Sequence, residues 1–148
     1  MLDAQPRGAG RITDVELDDE LVVTVSVTYE FGKSQLAFEF GDIVTSDAQV
    51  IVSSDDAFLS MAGGVSAAIR VAAGDEIVLD AVKKIPAQLG GVVVTTAGRL
   101  SAQYVFHAIT RSSDERANPI DVLRSSTLRC MQLVDVLQVQ SIAFPVPR

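Results

Sequence analysis

Two adjacent glycines, Gly63 and Gly64, lie where a loop pattern changes into a helical pattern. Glycine has no Cβ, so a ligand can come close to its backbone. The N–H groups in the first turn of a helix have no partners inside the helix, and the helix dipole favours an anion there. A glycine pair also occurs in simple tight turns, so the pair alone leaves a phosphate site and a plain turn as alternatives.

The segment before the glycine pair is polar and acidic. Residues 53–56 read Ser-Ser-Asp-Asp and follow a short apolar run at residues 49–52. A carboxylate can orient a water molecule, which makes Asp55 and Asp56 candidate catalytic residues. Carboxylates in exposed loops more often only face solvent, so a structural interpretation stays open beside the catalytic one.

The other reactive side chains favour structural roles. His107 is the single histidine and lies in an apolar strand pattern, which predicts a packed, hydrogen-bonded core residue. Cys130 lies in the middle of a helical pattern and is expected to be a small buried hydrophobic residue. Ser53 and Ser60 have no nearby histidine pattern, so nothing supports a hydrolase triad. We expect no metal site.

Apolar patterns predict the elements that position these candidates. Val and Thr alternate over residues 21–29, which is typical of a half-buried strand, and a turn at 31–34 makes a hairpin with the next strand. The predicted strands cover residues 21–29, 35–40, 49–52, 91–96, 103–109 and 141–144. The predicted helices run from the glycine pair to Gly74, from an Asp75 cap to Pro86, and from Asn118-Pro119 to about Leu137.

Strands that alternate with helices predict an α/β fold, with a mainly parallel sheet and helices on both faces. In such a sheet, ligands bind outside the carboxyl ends of the strands. The loops at residues 41–43, 53–56 and 97–99 follow predicted strands and are expected to line one crevice. We expect a flexible tail over residues 1–10 and one domain over residues 11–148.

Composition excludes several classes of protein. The 148 residues carry 12 Lys and Arg against 19 Asp and Glu, a net charge of −7, so direct nucleic-acid binding through a basic patch is not expected. A hydrophobic content of 48% is too high for a disordered chain. One cysteine rules out an intrachain disulfide framework, and we find no signal peptide or membrane span. These features predict a cytoplasmic α/β domain without a bound cofactor.

Several segments together resemble the macrodomain family, in order and spacing, over about residues 35–145. The segments are Gly41-Asp42-Ile43, Val50-Ile51-Val52, Leu59, Gly63-Gly64-Val65, Ala68-Ile69, Ala72-Ala73-Gly74, Gly98, Leu100, Tyr104-Val105-Phe106-His107 and Ser141-Ile142-Ala143-Phe144-Pro145.

The resemblance implies a three-layer α/β/α fold with a mixed sheet and a cleft for ADP-ribose. It implies that the Asp42 carboxylate accepts a hydrogen bond from the adenine amine and that Ile43 lines the same pocket. It also implies that Gly63, Gly64 and Val65 form the first diphosphate loop. Without the resemblance, Asp42 is equally well explained as a helix cap or turn residue.

This chain departs from the family pattern at three places. Residues 53–56 stand where the family usually has Asn-Ala-Ala-Asn, which makes Ser53 a candidate ligand contact and puts Asp56 at the Asn that contacts the distal ribose. A carboxylate only accepts hydrogen bonds, and its charge disfavours a nearby diphosphate. Ser66, also a candidate ligand contact, stands where one hydrolytic class has Asp, and a hydroxyl is a poor general base. The family continues beyond residues 141–145 into a second phosphate loop and a final helix, so we expect the C-terminal end of the domain to be missing.

Three functions remain after these comparisons. The first is a reader module that binds ADP-ribose, or ADP-ribosylated protein, within a longer multidomain protein. The second is a hydrolase that removes ADP-ribose from protein or nucleic acid and uses Asp55 or Asp56 to position water. The third is a degenerate structural domain that keeps the fold without the ligand. We rank them in this order.

Overall fold

A computed structural model of the chain describes residues 11–17, 23–113 and 116–146. The expected tail at residues 1–10 lies outside these ranges, as do the first two residues of the strand predicted at 21–29. The chain divides into two compact units, Met1–Asp42 and Ile43–Arg148, which are described separately below. The expected single domain over residues 11–148 stays a prediction.

The first unit is a three-stranded antiparallel sheet in the order β1-β2-β3, with β1 at Arg11–Leu17, β2 at Val23–Phe31 and β3 at Ser34–Phe38. The hairpin predicted from the Val and Thr alternation is confirmed, and Gly32 has the positive φ of 59° that its tight turn requires. Sequence patterns miss β1, because a register shift between Ile12 and Asp14 interrupts its alternation.

The second unit contains a mixed four-stranded sheet in the order β5-β6-β4-β7. Strand β4 covers Val50–Asp56, β5 covers Val92–Thr96, β6 covers Tyr104–Arg111 and β7 covers Ile142–Ala143. Strands β6 and β7 lie parallel to β4, whereas β5 is antiparallel to β6. The helices are α1 at Gly64–Ala73, α2 at Asp75–Ala81 and α3 at Pro119–Leu137, with 3₁₀ turns at Ile43–Thr45 and Val82–Lys84.

Two hydrophobic clusters show that helices cover both faces of this sheet. On one face, Ile51 of β4 packs in a cluster with Ile69 of α1 and Ile77 of α2. On the other face, Val52 and Phe106 pack in a cluster with Cys130 of α3. Alternate residues of β4 therefore enter opposite clusters, as expected for a strand that is buried on both sides. The three-layer α/β/α fold with a mixed sheet is confirmed.

The N-terminal cap of α3 and the burial of Cys130 agree with the sequence predictions. The Asn118 side chain accepts a hydrogen bond from the Ile120 N–H at 3.0 Å, and Pro119 is the first helical residue. Cys130 is fully buried, and this burial raises the pKa of its thiol to about 11.

Within the described part of the chain, no helix is both long enough and apolar enough to cross a membrane.

Three local predictions are wrong. The loop at residues 97–99 does not lie at the same edge of the sheet as residues 53–56, because β5 is antiparallel to β6 and its carboxyl end is level with the start of β4. Residues 53–56 do not form a loop after the strand, because backbone pairing with β6 continues to Asp56 and outweighs their polar composition. Asp75 does not cap α2, because Gly74, with a φ of 86°, ends α1 and also precedes the first residue of α2. Asp75 is instead an acidic residue inside the first turn of α2.

Candidate functional site

The carboxyl end of β4 carries the four polar residues 53–56, and their side chains alternate between the two faces of the sheet. Ser54 shares a hydrogen bond with the Thr110 hydroxyl of β6. Ser53 is fully buried, and its hydroxyl is the only buried side-chain polar atom without a hydrogen-bond partner among the described residues.

Asp55 is fully buried and faces several donors. Its Oδ1 accepts hydrogen bonds from the N–H groups of Asp56 at 3.0 Å and Met61 at 3.2 Å. Its Oδ2 lies 3.3 Å from His107 Nδ1, and the half-exposed guanidinium of Arg111 lies 3.8 Å from Oδ1. These contacts commit the carboxylate to the protein interior rather than to water.

Asp56 lies at the end of the strand and organises the loop that follows. Its Oδ1 accepts from the N–H groups of Phe58 at 2.8 Å and Ser60 at 3.4 Å, and the Ser60 hydroxyl donates to Oδ2. The hydrogen bond from the Ser60 hydroxyl is the largest of the effects that hold the pKa of Asp56 below its usual value. The two N–H groups and the charge of Arg111 act in the same direction, against a desolvation effect that raises the pKa.

The loop from β4 to α1 contains two non-glycine residues in the left-handed region. Leu59 has a φ of 50° and Met61 a φ of 47°, and both side chains are buried. Such residues are strained and persist only where their surroundings determine the backbone. The Leu59 N–H donates to the Asp56 carbonyl at 3.0 Å, and the Met61 N–H donates to the Asp55 carboxylate. The two aspartates therefore hold the loop in place.

The glycine pair opens α1, as the sequence predicts. Gly63 is extended, with a φ of −164°, and supplies no side chain to cap the helix, while Gly64 has a φ of 58°. A Cβ added to either glycine would meet no atom within 4 Å, so the space next to this backbone is open. The first turn of α1 contains no acidic residue.

The first backbone hydrogen bond of the helix runs from the Ala67 N–H to the Gly63 carbonyl at 3.4 Å. The preceding N–H groups of Gly64, Val65 and Ser66 find no acceptor within the described part of the chain. The Ser66 side chain is buried and donates to the Gly63 carbonyl at 2.8 Å, which ties the cap to the first turn. Three backbone donors, open space and no acid make this turn suitable for an anion.

The structure brings most of the predicted site residues together in the second unit. Residues 53–56 end β4, residues 63–66 begin α1, and Ile43 packs against the same hydrophobic cluster as Val65. Asp42 is the last residue of the first unit, so its contact with adenine stays a prediction from the resemblance.

Sequence reasoning missed three neighbours of this site. Arg111 is the last residue of β6 and lies opposite Asp56. Thr95 Oγ1 lies 2.8 Å from His107 Nε2, and the Ser60 hydroxyl donates a hydrogen bond to the Asp56 carboxylate. Only the spacing of Asp56 and Ser60 is a local signal, typical of a turn closed by an aspartate. The other two depend on strand register, which brings together residues far apart in the sequence. The prediction of His107 as a hydrogen-bonded core residue is confirmed.

Curated proteins include clear relatives of this chain. A macro domain-containing protein of Vibrio parahaemolyticus is 36% identical over 110 residues, which cover 71% of this chain and 65% of that protein. A Pantoea vagans protein named O-acetyl-ADP-ribose deacetylase 1 is 33% identical over 110 residues, which cover 71% of this chain and 64% of that protein. The chain spans between 62% and 65% of the length of these and similar relatives.

Solved structures show the same fold. The macrodomain of Oceanobacillus iheyensis with MES bound has a TM-score of 0.76 at 24% identity, covering 82% of this chain and 69% of that chain. The same macrodomain with ADP has a TM-score of 0.71 at 24% identity, covering 82% and 68%. The family model described as Macro domain matches residues 52–146, which include the strand end and the glycine pair. The chain is therefore a member of the Macro domain family.

Proposed function

We propose that this domain binds ADP-ribose, or a related nucleotide diphosphate, as a reader module of a longer protein. The observation that carries the proposal is the first turn of α1, where three backbone N–H groups have no acceptor among the described residues, no side chain or acid caps them, and the space beside Gly63 and Gly64 is open. Family membership supports it, as does the related macrodomain crystallised with ADP. ADP-ribosylated proteins are the corresponding partners, and the cytoplasmic location stays a prediction.

The proposed site assigns each contact by chemistry. The N–H groups of Gly64, Val65 and Ser66 hold the diphosphate, and Gly63 leaves room for it. The resemblance assigns Asp56 to the distal ribose and Asp42 and Ile43 to adenine, and Ser53 stays a candidate ligand contact.

The acidic residues next to this site need an explanation, since a diphosphate is negative. The Asp55 carboxylate is buried and accepts hydrogen bonds from two backbone N–H groups. The Asp56 carboxylate accepts hydrogen bonds from two further backbone N–H groups and from a hydroxyl. The guanidinium of Arg111 lies beside Asp55 and favours the charged form of Asp56. Most of the negative charge is therefore countered inside the protein, which reduces its repulsion of a ligand.

Isothermal calorimetry with ADP-ribose tests the proposal directly. We expect heat and saturation with ADP-ribose and with ADP, and weaker binding of AMP, which lacks the second phosphate. A flat titration at high-micromolar ADP-ribose would contradict the proposal and favour the degenerate structural domain.

Hydrolysis is the second candidate, and the similarity to a protein named O-acetyl-ADP-ribose deacetylase favours it. Asp56 is the proposed water-positioning residue, whereas Asp55, the other candidate from the sequence, is fully buried and its carboxylate contacts the loop backbone and His107. Asp56→Asn is the sharpest variant, because it restores the residue that the family usually has and removes a negative charge. If Asp56 is a base, the variant loses turnover of O-acetyl-ADP-ribose and of ADP-ribosylated protein while it keeps binding. Turnover that is unchanged in Asp56→Asn and in Asp55→Ala would exclude both roles.

A further inference from the structure

A buried chain of hydrogen bonds crosses three strands beneath α1 and α2. Thr95 Oγ1 of β5 lies 2.8 Å from His107 Nε2 of β6, and His107 Nδ1 lies 3.3 Å from Asp55 Oδ2 of β4. All three residues are at most 1% exposed. The strand register pairs His107 with Val93 and Ser53, so Thr95 and Asp55 are its diagonal neighbours, two residues further along their strands.

These three hydrogen-bonded residues lie in a mainly aliphatic layer. Ile51, Val105 and Ile109 occupy the same face of the sheet, and Ser53, which the strand register pairs with His107, is a further buried polar residue there. Buried polar side chains destabilise a fold unless each has a hydrogen-bond partner. Packing alone therefore does not explain three linked polar residues at this depth. The last of these residues, Asp55, leaves the layer and reaches the backbone of the loop before α1.

The loop residue that Asp55 contacts has a strained backbone. Asp55 Oδ1 accepts from the N–H of Met61, which has a φ of 47° and lies two residues before the glycine pair. A rotation of the Asp55 carboxylate would release this N–H and the strain held with it. The orientation of the carboxylate is in turn set by His107 on its other oxygen.

We propose that His107 and Thr95 are positioning residues for the anion site: they fix the Asp55 carboxylate, which fixes Met61 and thereby the backbone of Gly63 and Gly64. This inference rests on the proposed ADP-ribose function for its effect on affinity. Its effect on the loop is independent of any ligand.

The chemistry of the three groups explains why a histidine stands at the centre. A carboxylate only accepts, so Nδ1 carries the proton and donates to Asp55. The Thr95 hydroxyl, which has one proton to donate, lies 2.8 Å from Nε2 and 3.1 Å from the Thr96 carbonyl. The guanidinium of Arg111 lies 3.8 Å from Asp55 Oδ1, at the end of this hydrogen-bonded series.

The test compares four variants by calorimetry with ADP-ribose and by hydrogen exchange of the ligand-free protein. His107→Leu removes the donor to Asp55, and His107→Asn restores an N–H at the position of Nδ1. Thr95→Val removes only the hydroxyl and keeps the shape. Val105→Ala is the packing control, since Val105 lies on the same face of β6, is also fully buried and belongs to the same hydrophobic cluster as Met61, but has no polar group.

We expect the dissociation constant to rise about tenfold or more in His107→Leu and about threefold in Thr95→Val, with His107→Asn in between. Hydrogen exchange of the Met61 amide should accelerate in the same order. Val105→Ala should lower the melting temperature and leave both readouts within about twofold of wild type. Equal effects of Val105→Ala and Thr95→Val on affinity and on Met61 exchange would overturn the proposal.

The outcomes separate this inference from the proposed function. If wild type does not bind ADP-ribose, the proposed function fails, and Met61 exchange alone then decides the positioning role. If wild type binds but Met61 exchange and affinity are unchanged in Thr95→Val and His107→Asn, the positioning role fails and the proposed function stands. If His107→Leu does not fold, those two milder variants carry the decision.

Discussion

Helices α1 and α2 follow each other directly in the chain, and each begins after a glycine, yet their first turns differ in charge and in space. The first turn of α1 has no acid, and nothing lies within 4 Å of a Cβ added to Gly63 or Gly64. The first turn of α2 contains Asp75 and Glu76, and a Cβ on Gly74 would lie 3.1 Å from Arg99 Nε. The acids of α2 therefore neutralise the dipole of that helix, whereas the first turn of α1 has no such acid, and this is where we propose that the diphosphate binds.

The largest expected effect concerns the other end of α1. Gly98 has a φ of 56°, and a Cβ there would lie 2.2 Å from the Ala73 carbonyl oxygen at the end of the helix. Gly98→Ala should therefore lower the free energy of unfolding by about 3 kcal/mol, because both strain and overpacking oppose it. Urea unfolding measures this loss. Below the transition, the folded protein should still bind ADP-ribose, since the first turn of α1 is unchanged. A loss of unfolding free energy below about 1 kcal/mol would contradict the close approach of Gly98 to the Ala73 carbonyl.

The next change converts the start of α1 into one like that of α2. Gly63→Asp adds a carboxylate to an extended residue with open space around its Cβ, so the new side chain can cap the free N–H groups. We expect the free energy of unfolding to rise by about 0.5–1 kcal/mol and the ADP-ribose dissociation constant to rise about tenfold or more. Gly63→Ala is the control, with a Cβ but no charge, and should bind much more like wild type. Tight binding by Gly63→Asp would refute an anion site at this turn.

A smaller change tests the backbone rather than the charge. Gly64→Ala places a Cβ on a residue with a φ of 58°, which should cost about 1 kcal/mol of folding free energy. Binding should weaken by a few-fold because the donors shift. Chemical denaturation and calorimetry on the same preparation measure the two effects, and an Ala variant as stable as wild type would show that the left-handed backbone is not required.

The converse change removes the negative charge at the start of α2. The double variant Asp75→Asn, Glu76→Gln has no acid in this first turn, and its free energy of unfolding should fall by about 0.5 kcal/mol. ADP-ribose affinity should stay the same, since α2 is short and its start is filled by Arg99. A new or stronger binding site in this variant would mean that charge alone, without open space, decides where the anion binds.

The smallest expected effect is a dependence of stability on acid pH through Asp56. The Ser60 hydroxyl, the backbone N–H groups and Arg111 lower the pKa of Asp56 in the folded protein. A depressed pKa means that the stabilisation is present above the unfolded value of about 4 and is lost as pH falls through the folded pKa. Asp56→Asn should flatten the melting temperature profile below about pH 5. An identical profile in this variant would contradict the role given to Asp56 in the loop.

The sequence predicted the fold better than the details of the site. The glycine pair, the Asn118 cap and the burial of Cys130 follow from local chemistry, and each is confirmed by the structure. Local composition predicts a loop at the polar residues 53–56, because it cannot reveal their pairing with β6. Strand β1 was missed for a similar reason, since its bulge hides the alternation.

The side chains that surround the site depend on register, which local patterns do not reveal. Thr95, His107 and Asp55 lie on three strands and meet only because the sheet places β6 between β5 and β4. Arg111 is opposite Asp56 for the same reason. A family resemblance names positions in a site, but only the strand register shows which charges are countered and which are free.

The most direct test follows the backbone amides of both helices by NMR while ADP-ribose is added. We expect the largest chemical-shift changes at the amides of Gly64, Val65 and Ser66, and almost none at Asp75, Glu76 and Ile77 of α2. These changes should saturate with the affinity that calorimetry gives. Saturable shifts confined to α2, or none at the first turn of α1 while the ligand binds, would contradict an anion site at the glycine pair.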